Sequence, residues 1–184
     1  MKPVFLIGFM GSGKSTLGRA LAKASGLGFI DLDNYIETRF HRNIRDLFAE
    51  CGENGFRDME RRMLHEVSDF EDVIIACGGG TPCFYDNMER MNLAGLTVLL
   101  ETSHEKLLQR LKLGRRRRPL IASMSDEELD AYIRKALESR MSFYSGASVR
   151  FCSDFLDSQE EIDSSVRRFM ERFNLPSIKK ANSL

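Results

Sequence analysis

The sequence predicts a three-layer α/β domain built on a mostly parallel sheet, and two observations carry that prediction. Short apolar runs recur along the chain, Val4 to Ile7, Phe29 to Ile30, Val73 to Ala76, Leu96 to Leu100 and Val149 to Phe151, with helical spacings between them. The first run passes directly into the glycine-rich stretch "GFMGSGKST" and then into an amphipathic segment marked by Leu17, Ala20, Leu21 and Ala24. Strands that alternate with helices are joined by crossovers. The sheet is therefore parallel and covered on both faces, with its ligand site at the carboxyl ends of the strands.

Length and composition fit this class. The 184 residues suit one domain, spanning 1–184, that can bury a core without disulfides or structural metal. Lys plus Arg and Asp plus Glu each number 27, so no overall field draws nucleic acid or an anionic membrane, and anion recognition must be local. Gly8 interrupts the N-terminal apolar run before any signal-peptide pattern develops, and no segment approaches the roughly eighteen apolar residues of a membrane span. A cytoplasmic location is expected. Cys51, Cys77, Cys83 and Cys152 form no CxxC pair and read as reduced, mostly structural thiols.

The first strand and helix enclose the strongest signal. "GFMGSGKS" satisfies G-x-x-x-x-G-K-[ST] between a buried strand and an amphipathic helix, the context in which that pattern binds phosphates. Its glycines let backbone N–H groups converge on phosphate oxygens, the helix N-terminus adds the positive end of its dipole, Lys14 reaches the terminal phosphates and Ser15 ligates Mg²⁺. The second strand closes on "FIDLD". Alternate residues at a strand end share a face, so Asp31 and Asp33 are expected to point into the phosphate site together. Solvated loop carboxylates would explain the same two residues.

The segment "FRDME" has helical spacing that puts Arg57 beside Glu60, so a carboxylate can orient the guanidinium toward a planar bidentate acceptor. A surface ion pair is the ordinary alternative, and Arg140 in "RMSFY" invites the same dismissal. The third strand runs into "ACGGGTP", where Gly78, Gly79 and Gly80 remove every side chain. Either a ligand touches the main chain closely there or the chain turns tightly. After the fourth strand, "LGRRRRPLIASM" has no periodicity of either kind and reads as a mobile loop. Ser125 with Glu128 is a capping box for a helix through about Tyr144. Ile162, Val166, Phe169, Met170 and Phe173 mark a last helix, after which "SIKKANSL" reads as a frayed tail.

Taken together and in order, "GFMGSGKST", "FIDLD", "FRDMERRML", "ACGGGTP", "RRPL" and "RMSFY" resemble the shikimate kinase family over most of the chain. The resemblance implies a P-loop kinase fold of the nucleoside-monophosphate-kinase type. It has a five-stranded parallel sheet, a helical substrate-binding region near 32–61, a lid near 112–124 and a flexible tail near 175–184. It implies transfer of the γ-phosphoryl group of ATP to the 3-hydroxyl of shikimate, with Mg²⁺ as cofactor, on the path to chorismate and the aromatic amino acids. Gly11, Ser12, Gly13, Lys14, Ser15 and Thr16 would then wrap the nucleotide phosphates, with Ser15 and Asp31 on the metal. Asp33 would bind the ring hydroxyls and act in catalysis with Lys14. Arg57 and Arg140 would clamp the carboxylate, and Gly78, Gly79 and Gly80 would touch the ring. Arg118, directly before Pro119, matches the lid arginine, although four consecutive arginines allow the assignment to slip.

The implied partners are ATP and shikimate, with neither nucleic acid nor membrane, and a monomer is expected. The segment "SDFLDSQEEID" lacks the basic residues by which some members contact adenine, leaving Arg110 as a contributor. A gluconate kinase is the nearest enzymatic alternative, but two arginines on separate helices plus a glycine triplet suit a rigid carboxylated ring better. A GTP-binding switch protein would need an N-K-x-D segment, which the chain lacks.

Overall fold

The computed structural model describes residues 1–177. Residues 178–184 of the expected tail lie outside the described residues, and Leu175, the first residue of that expectation, is buried. Five strands, β1 (Val4–Ile7), β2 (Gly28–Asp31), β3 (Val73–Ala76), β4 (Leu96–Glu101) and β5 (Val149–Cys152), form one parallel sheet in the order β2-β3-β1-β4-β5. β1 and β3 coincide with their apolar runs, and β2, β4 and β5 extend theirs by a residue or two.

Seven helices complete the layers among the described residues: α1 (Lys14–Ser25), α2 (Leu32–Phe40), α3 (Ile44–Ser68), α4 (Asn87–Ala94), α5 (His104–Gly114), α6 (Asp126–Tyr144) and α7 (Gln159–Phe173). The two-residue period of a strand splits β1 between two cores. Val4 and Leu6 pack with Leu17 and Leu21 of α1 and Val166 and Phe169 of α7. Phe5 and Ile7 face Leu32, Phe56, Leu64, Leu107 and Ile133 from the other helices. Strands buried on both faces must be apolar throughout, which is why the central β1 and β3 do not alternate.

Four local features set up the site. The strand β2 stops at Asp31, and Asp33 already lies in the first turn of α2, so the two aspartates are not alternate residues of one strand as expected. They converge because a helix starts where the strand ends, and an acidic residue in a first turn is favoured by the helix dipole. The helix α3 is broken at Gly52 (φ 68, ψ −178), which divides its first two turns from the segment carrying Arg57. The stretch after α5 forms short 3-10 turns over Arg115–Arg117 and Pro119–Ile121, anchored by the fully buried Ile121. Both halves of the Ser125–Glu128 capping box are present at the start of α6.

Candidate active site

Parallel register aligns the carboxyl ends of β1, β2 and β3, with Asp31 beside Ala76 and Leu6 beside Ala76 on the other flank. The glycine-rich loop after β1, the start of α2 and the glycine triplet after β3 therefore open onto one cleft.

On the donor side, Gly11 (φ 84) and Gly13 (φ 89) take left-handed conformations that other residues rarely adopt, and the loop closes into α1 with Leu17 N donating to Gly13 O at 2.8 Å. Lys14 Nζ donates to Gly8 O at 2.8 Å and Phe9 O at 2.9 Å, which holds the ammonium across the mouth of the loop. Burial pulls its pKa down to about 8, opposed by the charges of Asp33 and Asp31. Ser12 is turned inward: its N–H donates to Phe9 O at 3.1 Å and its buried Oγ has no partner among the described residues. A cavity of about 460 Å³ is lined by Gly11, Gly13, Lys14, Ser15, Thr16 and, across from them, Arg118 and Leu156.

Ser15 Oγ donates to Asp31 Oδ2 at 2.6 Å, so a hydroxyl and a carboxylate meet beside the phosphate loop. Among the described residues no three His, Cys, Asp or Glu side chains gather as a metal cage. Two hard oxygen donors without a cage suit a cation that keeps most of its ligands as water and phosphate oxygens, which is the habit of Mg²⁺.

The acceptor side is built from side chains. Glu60 is 1% exposed, and its Oε2 accepts from Arg57 Nη1 at 2.9 Å while Oε1 accepts from Thr81 Oγ1 at 2.6 Å. The Arg57 guanidinium stacks at 4.1 Å on the ring of Phe84. Arg140 lies over Phe9 at 5.4 Å, and Tyr144, one helical turn later, donates from its hydroxyl to Gly79 O at 2.6 Å. Burial pushes the Tyr144 phenol up to about 12, so it stays a donor.

The glycine triplet brings these residues together. A Cβ at Gly78 would lie 3.1 Å from Asp33 Oδ1 and 3.3 Å from Glu60 Oε1; one at Gly79 would lie 3.4 Å from Arg140 Nη1; one at Gly80 would lie 3.0 Å from Arg57 Nη2. None of the three glycines is in the left-handed region, so close approach rather than a special turn accounts for them. The Gly79 position also lies 3.4 Å from Gly8 O and Met10 N, so donor loop and acceptor ridge adjoin there. The Asp33 carboxyl is pushed up to about 6, first by desolvation, then by the neighbouring charges of Asp31 and Glu60, with Lys14 opposing. The open cleft still admits solvent to Asp33, which tempers the consequences of that shift for stability.

Further basic residues, Arg110 among them as the sequence suggested, take up partners that the sequence did not show. Arg110 donates to Asp157 Oδ1 at 2.6 Å, Ser153 O at 3.0 Å and Asp154 O at 2.8 Å, tying α5 to the segment after β5 that lacks basic residues of its own. Arg115 bonds Met124 O at 2.7 Å and pairs with Asp126, which Lys112 also reaches at 2.9 Å. The first arginine of the run thus closes the base of the loop, whereas Arg118 lines the cavity beside the glycine-rich loop. A run of like residues gives no hint of such a division.

Comparison with known proteins agrees with the geometry. The family model described as shikimate kinase matches residues 10–171. A shikimate kinase of Phocaeicola vulgatus is 51% identical over 95% of this chain and 99% of its own. The crystal structure of shikimate kinase from Bacteroides thetaiotaomicron superposes with a TM-score of 0.92 at 49% identity, covering 95% of this chain and 99% of that one. Shikimate kinase from Acinetobacter baumannii in complex with shikimate gives a TM-score of 0.80 at 28% identity, covering 95% and 94%. With the phosphate loop, the paired carboxylates and the arginine-lined glycine ridge in one cleft, the chain belongs to the shikimate kinase family.

Proposed function

We propose that the two sides of the cleft divide the family's reaction, transfer of the γ-phosphoryl group of ATP to the 3-hydroxyl of shikimate, into a donor half and an acceptor half. The observation that carries this reading is the glycine triplet, whose three consecutive positions face Asp33, Arg140 and Arg57 in turn. A flat carboxylated ring laid on that ridge would meet both guanidinium groups at one end and Asp33 near its hydroxyls.

In the donor half, backbone N–H groups of the loop and Lys14 would hold the phosphates, with Thr16 at the cavity wall. Ser15 and Asp31 would hold Mg²⁺, which when bound neutralises charge on the phosphate oxygens. The adenine would fall toward Arg110, Leu113 and Leu156 at the outer end of the cavity. Phosphoryl transfer passes through a loose transition state, so catalysis consists of positioning and of neutralising spreading negative charge. Lys14 and Arg118 supply that charge, and a closing lid excludes water that would hydrolyse ATP. Asp33 orients the acceptor hydroxyl and accepts its proton. Its raised pKa suits that task near neutral pH.

No helix among the described residues is long and apolar enough to cross a membrane. The single-domain organisation, a monomeric state, a cytoplasmic location and the absence of nucleic-acid partners belong to this reading. A coupled assay of ADP release with shikimate, gluconate, a nucleoside monophosphate or no acceptor tests it. Stimulation by shikimate alone is expected, and stimulation only by gluconate or a nucleotide would overturn it.

A further inference from the structure

A carboxylate clamp works only if its guanidinium groups are held in one orientation before the ligand arrives, because bidentate recognition is lost when the fork turns. Stacking fixes part of this. Phe84 at 4.1 Å, Phe56 at 5.4 Å and Phe48 at 5.7 Å from Arg57 confine its plane, yet a flat cation can still rotate against a ring. Rotation in that plane is stopped by hydrogen bonds. For Arg57 the bond runs to Glu60 Oε2 at 2.9 Å, and Glu60 is itself held through its other oxygen by Thr81 at 2.6 Å.

Arg140 is placed through its helix. It lies over Phe9 at 5.4 Å with Nη1 3.4 Å from where a Gly79 Cβ would sit, and one turn later the Tyr144 hydroxyl ties α6 to Gly79 O at 2.6 Å. Both hydroxyls are sealed from water, Thr81 at 0% and Tyr144 at 1% exposure, so water cannot replace either bond. Both end on the same short segment, Gly79 and Thr81, which is pinned in turn by Asn87 Nδ2 donating to Thr81 O at 2.8 Å.

We infer that Thr81 and Tyr144 are positioning residues that brace Arg57 and Arg140 at a fixed separation across the glycine segment, and so set the preference for a carboxylate-bearing acceptor. Neither hydroxyl touches the substrate; Thr81 acts on Arg57 through Glu60, and Tyr144 acts on Arg140 through the tie between α6 and Gly79. The inference rests on the clamp reading of Arg57 and Arg140. Without the Thr81 hydroxyl, Glu60 Oε1 loses its donor and the carboxylate turns, releasing Arg57 toward Glu53, already 3.4 Å away. Without the Tyr144 hydroxyl, Gly79 O loses its donor and α6 loses its tie to the glycine segment one turn from Arg140.

The test uses steady-state kinetics of the full chain as wild type, Thr81→Val, Thr81→Ser and Tyr144→Phe, with Arg57→Ala and Arg140→Ala as references. Shikimate and its methyl ester serve as acceptors. Thr81→Val and Tyr144→Phe should raise KM for shikimate by about tenfold, the loss of roughly one hydrogen bond, with KM for ATP moving less than about twofold. The preference for shikimate over the ester should fall in the same proportion, and Thr81→Ser should restore both. The bracing role is overturned if the arginine variants raise KM for shikimate while Thr81→Val and Tyr144→Phe do not. It is also overturned if Thr81→Ser loses as much as Thr81→Val, or if both substrates' KM values rise together. If the arginine variants leave KM for shikimate unchanged, the clamp reading fails first and the braces with it.

Discussion

The two halves of the cleft reach similar chemistry by opposite constructions. The proposed donor half comes from one contiguous stretch, Gly8 to Thr16, in which the main chain itself and a single lysine would form the anion site. The acceptor half comes from α2, α3, α6 and the segment after β3, and its parts meet only because a parallel sheet brings those elements to one edge. A backbone site tolerates little change in sequence but needs few distant partners. A side-chain site depends on packing throughout, and single substitutions should separate the two: donor changes should strike turnover, acceptor changes should strike affinity for one substrate.

The largest effects should fall on charge that acts on the transferring group. Lys14→Ala should lower kcat by roughly 10³-fold and Arg118→Ala by roughly 10²-fold, the scale of losing one preorganised positive donor. Shikimate binding, followed by calorimetry without nucleotide, should change little in either variant. A marked loss of shikimate affinity in Lys14→Ala would erase the division between the halves.

That division also governs what the sequence revealed. The donor loop was legible because backbone geometry forces glycines, a lysine and a serine into adjacent places, leaving a pattern of fixed spacing. Arg57 and Arg140 were indistinguishable from surface charges until family resemblance singled them out. Their role depends on Glu60, Phe84 and Tyr144, which approach only in three dimensions. Fold class was legible for a related reason: runs buried on both faces of a parallel sheet are apolar throughout, and that signal is local. The start of α2 at Leu32 was missed because Asp31 and Asp33 satisfy a two-residue spacing as well as a helix first turn.

Asp33 stands between the halves, and its titration sharpens the boundary. Asp33→Asn should lower kcat by roughly 10²-fold while leaving ATP affinity nearly unchanged. In the wild type, kcat/KM for shikimate should fall as pH drops through about 6, where the raised Asp33 carboxyl takes up its proton, and should fall again above about 8 as Lys14 loses its own. The acid limb should vanish in Asp33→Asn. Stability has a definite sign as well. A carboxyl whose folded pKa lies above its ordinary value of about 3.9 favours the folded protein when protonated, so ionised Asp33 disfavours folding above pH 6. Asp33→Asn should therefore raise the ligand-free Tm at pH 8, with the gain gone near pH 4. A lower Tm at pH 8 would mean that Asp33 holds the fold rather than the acceptor.

Next in size come the clamp residues. Arg57→Ala and Arg140→Ala should each weaken shikimate binding by roughly 1.5 to 3 kcal/mol, the value of a charge-assisted bond, without changing KM for ATP. Equal losses for both substrates would show that the arginines support the cleft as a whole.

The smallest effect should come from the base of the lid, and it separates two arginines that the sequence cannot tell apart. Arg115 bonds Met124 O and pairs with Asp126, whereas Arg118 lines the cavity proposed for the nucleotide. Its partner Asp126 is exposed and shared with Lys112, and exposed ion pairs contribute little and are screened by salt. Arg115→Ala should therefore change kcat by no more than about threefold, the reach of an exposed pair, and the difference should shrink as ionic strength rises. Measured beside Arg118→Ala, it asks whether proximity to the phosphates or membership in a basic run decides an arginine's worth. A loss in Arg115→Ala as large as that in Arg118→Ala, persisting in high salt, would move the catalytic charge to the base of the lid. The closed lid would then have to turn the 3-10 segment over, pulling Ile121 out of the core where it is now fully buried. That cost is the physical reason to expect the smaller number.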